Sequence, residues 1–283
     1  MTILDVIQRS TDFLTRRGVA SPRLQVELLL AHVLKMPRMK LYLNFERVLS
    51  EVEVDSLRGL IQRRGQREPL QYIVGSASFC GIELALDRSV LIPRPETELL
   101  AERGWKYLGS VGDTPIGLDL GTGSGCLAIA LAMNAPHSRI HAVEISGPAL
   151  ALARQNGARH KPQIEFHEGD LFSAVPPGLR CDLIVSNPPY IPSARIETLE
   201  AEVRDYEPRS ALDGGADGQD FYRRIAGQAS AFLRPDGRIM LELDEEGAPA
   251  TSDIFSKGGW EVEALEKDYN QQPRILVARV KSQ

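Results

Sequence analysis

Cysteine is scarce. Cys80, Cys126 and Cys181 are odd in number, widely scattered and without a Cys-x-x-Cys pair. That argues against a disulfide framework and a thiolate-ligated metal, and it suits a reducing cytoplasm. The five histidines, His32, His137, His141, His160 and His167, form no ligand spacing either. No metal site is expected, and each histidine reads as a surface or internally satisfied residue. A long hydrophobic run is also missing. The most apolar helical stretch, Leu24 to Leu34, carries Glu27 and is too short to span a bilayer, so no membrane partner is expected. Met1-Thr2-Ile3-Leu4-Asp5-Val6 lacks a basic segment followed by an apolar one, so no signal peptide is expected. Positive charge is thin over most of the chain. Residues 1–74 hold 12 Lys and Arg against 8 Asp and Glu, and the remainder holds 21 against 30. An acidic main body counts against wrapping a nucleic-acid duplex, and no stable nucleic-acid partner is expected. The basic front can meet an acidic protein or RNA, or it is simply a solvated helix face.

What is present is an ordinary globular composition, 43% hydrophobic and 25% charged over 283 residues, enough for one large domain or two smaller ones. The first part reads as helices only. Ile3, Val6, Ile7 and Leu14 share one face, and Gly18 is a plausible stop. Ser21-Pro22 reads as a cap followed by a first-turn proline, opening a helix with Leu24, Leu28, Leu29 and Val33. Ser50-x-x-Glu53 is a capping box before the stripe Val54, Leu57, Leu60 and Ile61. Ser78 to Leu84 alternates like a strand and starts a hairpin expected to end near Leu91-Ile92. Pro95 then opens a helix. Strands are expected at 116–120, 139–143, 163–167, 181–186, 237–243, 259–265 and 274–280, with helices near 126–133, 147–158 and 219–233. Such alternation implies an α/β fold with a mostly parallel, seven-stranded sheet. The expected domains are a helical bundle over 1–74, a β-hairpin linker over 75–94 and an α/β domain over 95–283.

Two stretches carry chemistry. The first is Gly121-Thr122-Gly123-Ser124-Gly125, between the strand Ile116 to Leu120 and a helix starting at Cys126. Its glycines allow backbone to approach a ligand closely. The spacing is not the G-x-G-x-x-G of a dinucleotide site. The next strand ends in Glu144, about twenty residues on, where a carboxylate can accept from both hydroxyls of a ribose. The strand after it ends in Gly169-Asp170-Leu171-Phe172. Asp170 can accept from an adenine amino group, and Leu171 or Phe172 can lie against the ring; the plainer alternatives are a helix cap for Asp170 and a surface carboxylate for Glu144. The second stretch is Asn187-Pro188-Pro189-Tyr190, after the apolar run Asp182 to Ser186. Two prolines end the sheet ladder and hold the exit stiff, so an amide and an aromatic ring are presented at the carboxyl end of a strand. The group suits gripping a planar –NH2, unless it is only a rigid turn.

Strand, glycine loop, second-strand acid, third-strand acid and fourth-strand Asn-Pro-Pro-Tyr is the order seen in S-adenosylmethionine-dependent methyltransferases, whose Rossmann-like sheet is the implied fold. The chain resembles, over nearly its whole length, the HemK/PrmC-type protein methyltransferases. The resemblance rests on the helical front, Leu91 to Glu98, the Gly121–Gly125 loop, Val185 to Ile191 and Glu207 to Gly215. It implies N(5)-methylation of a glutamine side chain in peptide chain release factors, in the cytoplasm, with S-adenosyl-L-methionine as donor and the release factor as partner; a monomer is expected. By the same resemblance the cofactor positions are Gly121, Thr122, Gly123, Ser124, Gly125, Glu144, Asp170, Leu171 and Asn187. The substrate positions are Asn187, Pro188, Pro189 and Tyr190, with Asn187, Pro188 and Tyr190 catalytic. Relatives often have Asp at Glu144 and an aromatic residue at Leu171, and commonly a glycine after Leu-Glu-x. Here Leu241-Glu242-Leu243 runs into Asp244, and no role is assigned to that strand end.

In the mechanism this implies, the Asn187 side-chain oxygen and the Pro188 carbonyl accept the two amide N–H bonds, and Tyr190 packs on the amide plane and excludes water. No metal and no general base is required. Three other readings use the same residues: glutamine methylation of a ribosomal protein, adenine-N(6) methylation of a nucleic acid, and a non-catalytic adaptor. The acidic main body counts against the second, and the intact loop and acceptor motif against the third. The helical front is either a docking surface for the release factor or a stabilising lid.

Overall fold

The computed structural model describes residues 1–160 and 163–281. The expected range 95–283 therefore includes residues 161–162 and 282–283, which lie outside the described residues. The chain divides into two compact units: Met1–Ser76 with Glu200–Tyr206, and Ala77–Leu199 with the chain from Glu207 onward.

The first unit holds α1 (Ile3–Arg16), α2 (Pro22–Leu34), α3 (Met39–Tyr42), α4 (Glu51–Gly65) and α5 (Leu70–Val74). The stripe Ile3, Val6, Ile7 and Leu14 is buried against Leu29, Leu30 and Leu57, as the helical spacing requires. The Ser50 capping box forms: the Ser50 amide donates to Glu53 Oε2 at 2.8 Å, and the Glu53 amide donates to Ser50 Oγ at 3.3 Å. The expected Ser21 cap does not. Pro22 does open α2, but Ser21 sits in the left-handed region at φ +48° and its side chain caps nothing, so the backbone alone sets the entry. Residues 200–206, expected in the α/β domain, belong to this unit. Glu202 Oε1 accepts from Arg64 Nη2 at 2.8 Å and Arg67 Nε at 2.6 Å, and the Tyr206 hydroxyl donates to the Gln66 carbonyl at 2.7 Å. Sequence spacing could not reveal this, because the partners lie more than a hundred residues apart.

The second unit opens with a hairpin, β1 (Ser76–Phe79) and β2 (Ile82–Ala85). It ends at Ala85, not near Ile92. Asp87 Oδ1 accepts from the Ser89 amide at 2.8 Å, an Asx turn that breaks the extended run before the prolines. Then come α6 (Pro95–Leu108), β3 (Ile116–Leu120), α7 (Cys126–Asn134), β4 (Arg139–Glu144), α8 (Gly147–His160), β5 (Ile164–Glu168) and β6 (Cys181–Ser186). The chain passes through the single turn α9 (Ala201–Arg204) and returns with α10 (Asp220–Gln228), β7 (Leu233–Glu242), α11 (Ala248–Lys257), β8 (Trp260–Lys267) and β9 (Pro273–Val280). The helix expected over 219–233 is shorter: α10 ends at Gln228, a 3-10 turn covers Ala229–Phe232, and Leu233 already belongs to β7. Helix α11 was not expected at all.

The sheet has seven strands in the order β5-β4-β3-β6-β7-β9-β8. All neighbours from β5 to β7 are parallel, and β9 runs antiparallel to both β7 and β8. This is the expected Rossmann-like methyltransferase architecture, which a small helical bundle and a hairpin precede in the chain. From β3 the chain winds outward to β5 and then crosses back to β6 on the other side of β3. The order reverses there, so the carboxyl ends of β3 and β6 border the crevice where open α/β sheets hold ligands. Among the described residues no helix is long and apolar enough to cross a membrane.

Candidate active site

The glycine loop leaves β3 and is pinned to β4: the amides of Gly121 and Thr122 donate to the Val143 carbonyl at 2.9 and 3.0 Å. Gly121 and Gly123 have φ of +70° and +55°, and a Cβ at either would meet nothing within 4 Å. The loop is therefore both restricted to glycine and open on the side a ligand would approach. Glu144 ends β4 at 8% exposure. Its Oε2 accepts from the Gly123 amide and its Oε1 from the Ser146 amide, each at 2.9 Å. Each oxygen keeps a further lone pair, so a held carboxylate faces the crevice still able to accept from a diol. Asn156, fully buried on α8, donates to the Ser124 carbonyl at 2.9 Å and to the Ala85 carbonyl at 3.1 Å, and its Oδ1 accepts from the Ala85 amide at 2.8 Å. It links loop, helix and hairpin, three segments whose meeting linear spacing does not display.

Gly121 to Ser124, Glu144, Asp170, Leu171, Asn187 and Pro189 line one cavity of about 980 Å3, its open mouth included. Gly125 does not line it. With φ +83° it turns the chain into α7 beneath the cavity. Leu171 lines it in a left-handed conformation at φ +48°, whereas Phe172 is buried in the core and stacks on Phe232 at 4.7 Å. Of the two residues considered for a ring contact, the first is thus the one at the cavity. Asp170 stands both at the cavity and at the head of a short 3-10 turn. Its amide donates to Ser173 Oγ at 3.1 Å, and Arg224 pairs with its carboxylate. Pro188 and Tyr190 are not among the cavity's lining residues. Pro188 is buried, and the half-buried Tyr190 packs on the core, where burial and the nearby Glu242 raise its phenol above the ordinary range. The loop Gly214–Gly218 backs this motif so closely that a Cβ at Gly218 would sit 2.3 Å from the Tyr190 carbonyl oxygen.

Three polar side chains beneath the site had been given no part. Asp119, on β3, has no exposed surface. Its Oδ2 accepts from Thr122 Oγ1 at 2.6 Å and from the Ala128 amide at 3.2 Å, while its Oδ1 is buried without a partner among the described residues. Burial pushes its carboxyl from 3.8 up to about 7, and nearby Glu144 adds to the rise. Between these values the folded chain holds the proton that the unfolded chain has lost, so this group's contribution to stability falls as pH rises from about 4 to 7. Asp119→Asn should therefore gain stability relative to the parent across that range, as read by urea melts at several pH values; a pH-independent difference would contradict this. Thr97 and Glu242 are the other two: Asn187 Nδ2 donates to Thr97 Oγ1 at 3.1 Å, and Thr97 Oγ1 donates to Glu242 Oε2 at 2.6 Å. Arg94 Nη2 reaches both oxygens of buried Glu207 at 2.7 Å, joining the Pro93–Glu98 segment to Glu207-Pro208-Arg209.

Two of the five histidines are partnered with each other. His141 and His167, on adjacent strands, come together with Glu165, their potential ligand atoms within 4.8 Å of one another. The signal is cross-strand register, which linear spacing does not display. His141 Nδ1 and His167 Nε2 share a hydrogen bond at 3.0 Å, and Glu165 pairs with Arg139 at 3.0 Å.

Glycines open to a ligand, a held carboxylate at the second strand end and an orphaned buried acid beneath the loop together fit a nucleoside-bearing cofactor. Two family models match the chain: the PrmC N-terminal domain over residues 5–75 and the methyltransferase small domain over residues 108–202. A release factor glutamine methyltransferase of Geobacter sulfurreducens is 43% identical over 99% of this chain and 97% of its own length. One of Chlorobaculum tepidum is 40% identical over 97% and 96%. A solved methyltransferase of Pyrococcus furiosus shares the fold, with TM-score 0.54 at 18% identity over 77% of this chain and 97% of that one. The identity over nearly full length is decisive: the chain belongs to the release factor glutamine methyltransferase family.

Proposed function

We propose that the protein methylates the side-chain amide nitrogen of a glutamine in a peptide chain release factor, with S-adenosylmethionine as the methyl donor, in the cytoplasm where release factors act. The observation that carries the reading is the Asn187 oxygen, which accepts from no group among the described residues. Asn187 Nδ2 is committed to Thr97, so Oδ1 is left to accept from a substrate at the carboxyl end of β6.

Gly121 to Ser124, Glu144, Asp170 and Leu171 would hold the cofactor, Glu144 by accepting from its ribose. When bound, it supplies an electrophilic methyl group on a sulfonium. The chain's own residues have to make a poor nucleophile react. Asn187 Oδ1 and the Pro188 carbonyl accept the two N–H bonds of the substrate amide, which aligns the nitrogen and supports the positive charge that grows on it. The fixed φ of Pro188 aims its carbonyl. Tyr190, kept neutral by burial, packs on the core and backs the motif from outside the cavity. The amide proton leaves after transfer, so the protein need not remove it first.

Supporting a docking role for the first unit, Met39 and Leu43 stand four residues apart at 65% and 83% exposure, in the part of the chain with surplus positive charge. Replacing both by Asp should raise KM for intact release factor about tenfold and leave a short glutamine peptide unaffected. Equal effects on both substrates would sink the docking role. The reaction itself is tested by offering methyl-labelled cofactor to release factors, their Gln→Ala variants, a ribosomal-protein acceptor and DNA. Label confined to release factors with the glutamine intact supports the proposal; label on DNA or on the Gln→Ala protein overturns it.

A further inference from the structure

Asn187 can present either end of its amide to the cavity, and only one end suits a glutamine. The choice depends on what the other end touches. Ser186 pairs with Leu241 across the parallel strands β6 and β7, so Asn187 and Glu242 follow side by side at the carboxyl end of the sheet. Thr97, in the first turn of α6, lies between them: it accepts from Asn187 Nδ2 at 3.1 Å and reaches Glu242 Oε2 at 2.6 Å. Thr97 and Glu242 are 2% and 1% exposed, so water does not compete for these bonds. The three groups then have a fixed polarity. An ionised carboxylate only accepts, so the Thr97 hydroxyl must give its single hydrogen to Glu242. Its oxygen is left as an acceptor, which only the –NH2 end of Asn187 can satisfy. The carbonyl end must therefore face the cavity that Thr97 and Asn187 both line.

We propose that Glu242 and Thr97 are positioning residues that orient the Asn187 amide and so set the preference for a carboxamide over a carboxylate acceptor. The proposal rests on the methyltransferase reading above. A protonated Glu242 can donate to Thr97, which can then donate in turn, and the amide of Asn187 is free to rotate. An N–H facing the substrate would oppose glutamine and favour glutamate. A site built around a definite pattern of donors and acceptors rejects the analogue lacking it by a large factor, because its own buried groups are left unpaired.

The surroundings place this switch near neutrality. Burial raises Glu242 from 4.5 to about 7; Thr97, Arg274 of β9 and Arg94 at the head of α6 oppose the rise, and Glu96 of α6 adds to it. Tyr222 of α10 donates its hydroxyl to the Glu242 carbonyl at 2.7 Å, and Tyr190 stands beside the carboxylate. Turnover on glutamine should rise with pH through this value, as Glu242 loses its proton and the orientation locks.

The test compares the parent with Thr97→Val, Thr97→Ser and Glu242→Gln, using release factors with glutamine or glutamate at the acceptor position. Thr97→Val keeps the shape and loses the hydroxyl. It should lower kcat on glutamine about 10–100-fold, reduce the glutamine-to-glutamate ratio at least about tenfold, and leave cofactor affinity within about threefold. Thr97→Ser should keep at least about a third of parental kcat, and Glu242→Gln, nearly isosteric, should lose the acid limb of the pH profile. Independently of turnover, the side-chain –NH2 resonance of 15N-labelled Asn187 should shift with pH near 7 in the parent and in Thr97→Ser, and not in Glu242→Gln. Thr97→Val with parental kcat, Thr97→Ser as impaired as Thr97→Val, an unchanged acceptor ratio, or an Asn187 resonance indifferent to Glu242 would each overturn the relay. Absence of methyl transfer by the parent would instead overturn the reading of function, and the resonance would still decide the relay.

Discussion

Asn187→Ala should lower turnover on release factor by about 10²–10³-fold, the scale seen when one oriented donor or acceptor is removed from a transition state. The side chain stands at the carboxyl end of β6, beside the topological reversal of the sheet. Ser186, just before it, donates to the Leu120 carbonyl at 2.7 Å and ties that strand end to β3. The asparagine is thus carried on stiff backbone between a buried strand and two prolines. Its oxygen holds the amide N–H on binding and holds it more strongly as positive charge develops on the nitrogen, so the loss should fall on kcat more than on KM. Single-turnover transfer of labelled methyl measures it. A parental rate in the variant would show that the acceptor is held by something else.

Glu144→Ala should weaken cofactor binding by about 10²-fold, since two charge-assisted hydrogen bonds of roughly 1.5 kcal/mol each are removed. Part of the effect is indirect. The carboxylate also receives the Gly123 and Ser146 amides, so its loss frees the loop that must cradle the ligand. Glu144→Asp keeps both oxygens on a shorter arm and should stay within about tenfold of the parent. Titration calorimetry with S-adenosylmethionine distinguishes the two variants. Equal affinity in the alanine variant would mean that the ribose is held elsewhere.

Much of this molecule was legible from its residues. The sheet strands fell where apolar runs alternated with helical periodicity, and β3, β6 and their loops were marked by glycines and prolines whose backbone limits are local properties. The acid that ends β4 was legible for the same reason, since a carboxylate closing an apolar run has nowhere to point but the sheet edge. The parts that could not be read depend on contacts between distant segments. Glu242 looked like an ordinary strand residue before an unusual Asp244. Only its register with Ser186 and Asn187, and the arrival of α6 with Thr97, give it a partner. Asn156 and Asp119 are polar residues inside apolar patterns, and nothing in the spacing told which backbone amides they would receive. His141, Glu165 and His167 met through cross-strand pairing, and residues 200–206 left the α/β unit through ion pairs with Arg64 and Arg67 that no local rule anticipates. Tyr190 shows a further limit: its place in the motif was plain, but the side on which its ring would pack was not.

The remaining structure explains why the site is rigid. Glu207 and Arg94 join two segments that are far apart in the chain, and the Gly214–Gly218 loop lies hard against the backbone of the Asn-Pro-Pro-Tyr motif. An amide nitrogen is a weak nucleophile, and a site that depends on orientation must not move. A glutamate acceptor offers no N–H to Asn187 Oδ1 or to the Pro188 carbonyl and would leave both unpaired. The most direct measurement is therefore kcat/KM for a release factor with its acceptor glutamine intact against the same protein with glutamate there, with the methylated atom located by mass spectrometry. The expected result is a ratio of about 10⁴ or more, with the methyl on the glutamine side-chain nitrogen. Comparable rates on the two proteins, or a methyl group elsewhere in the release factor, would contradict it.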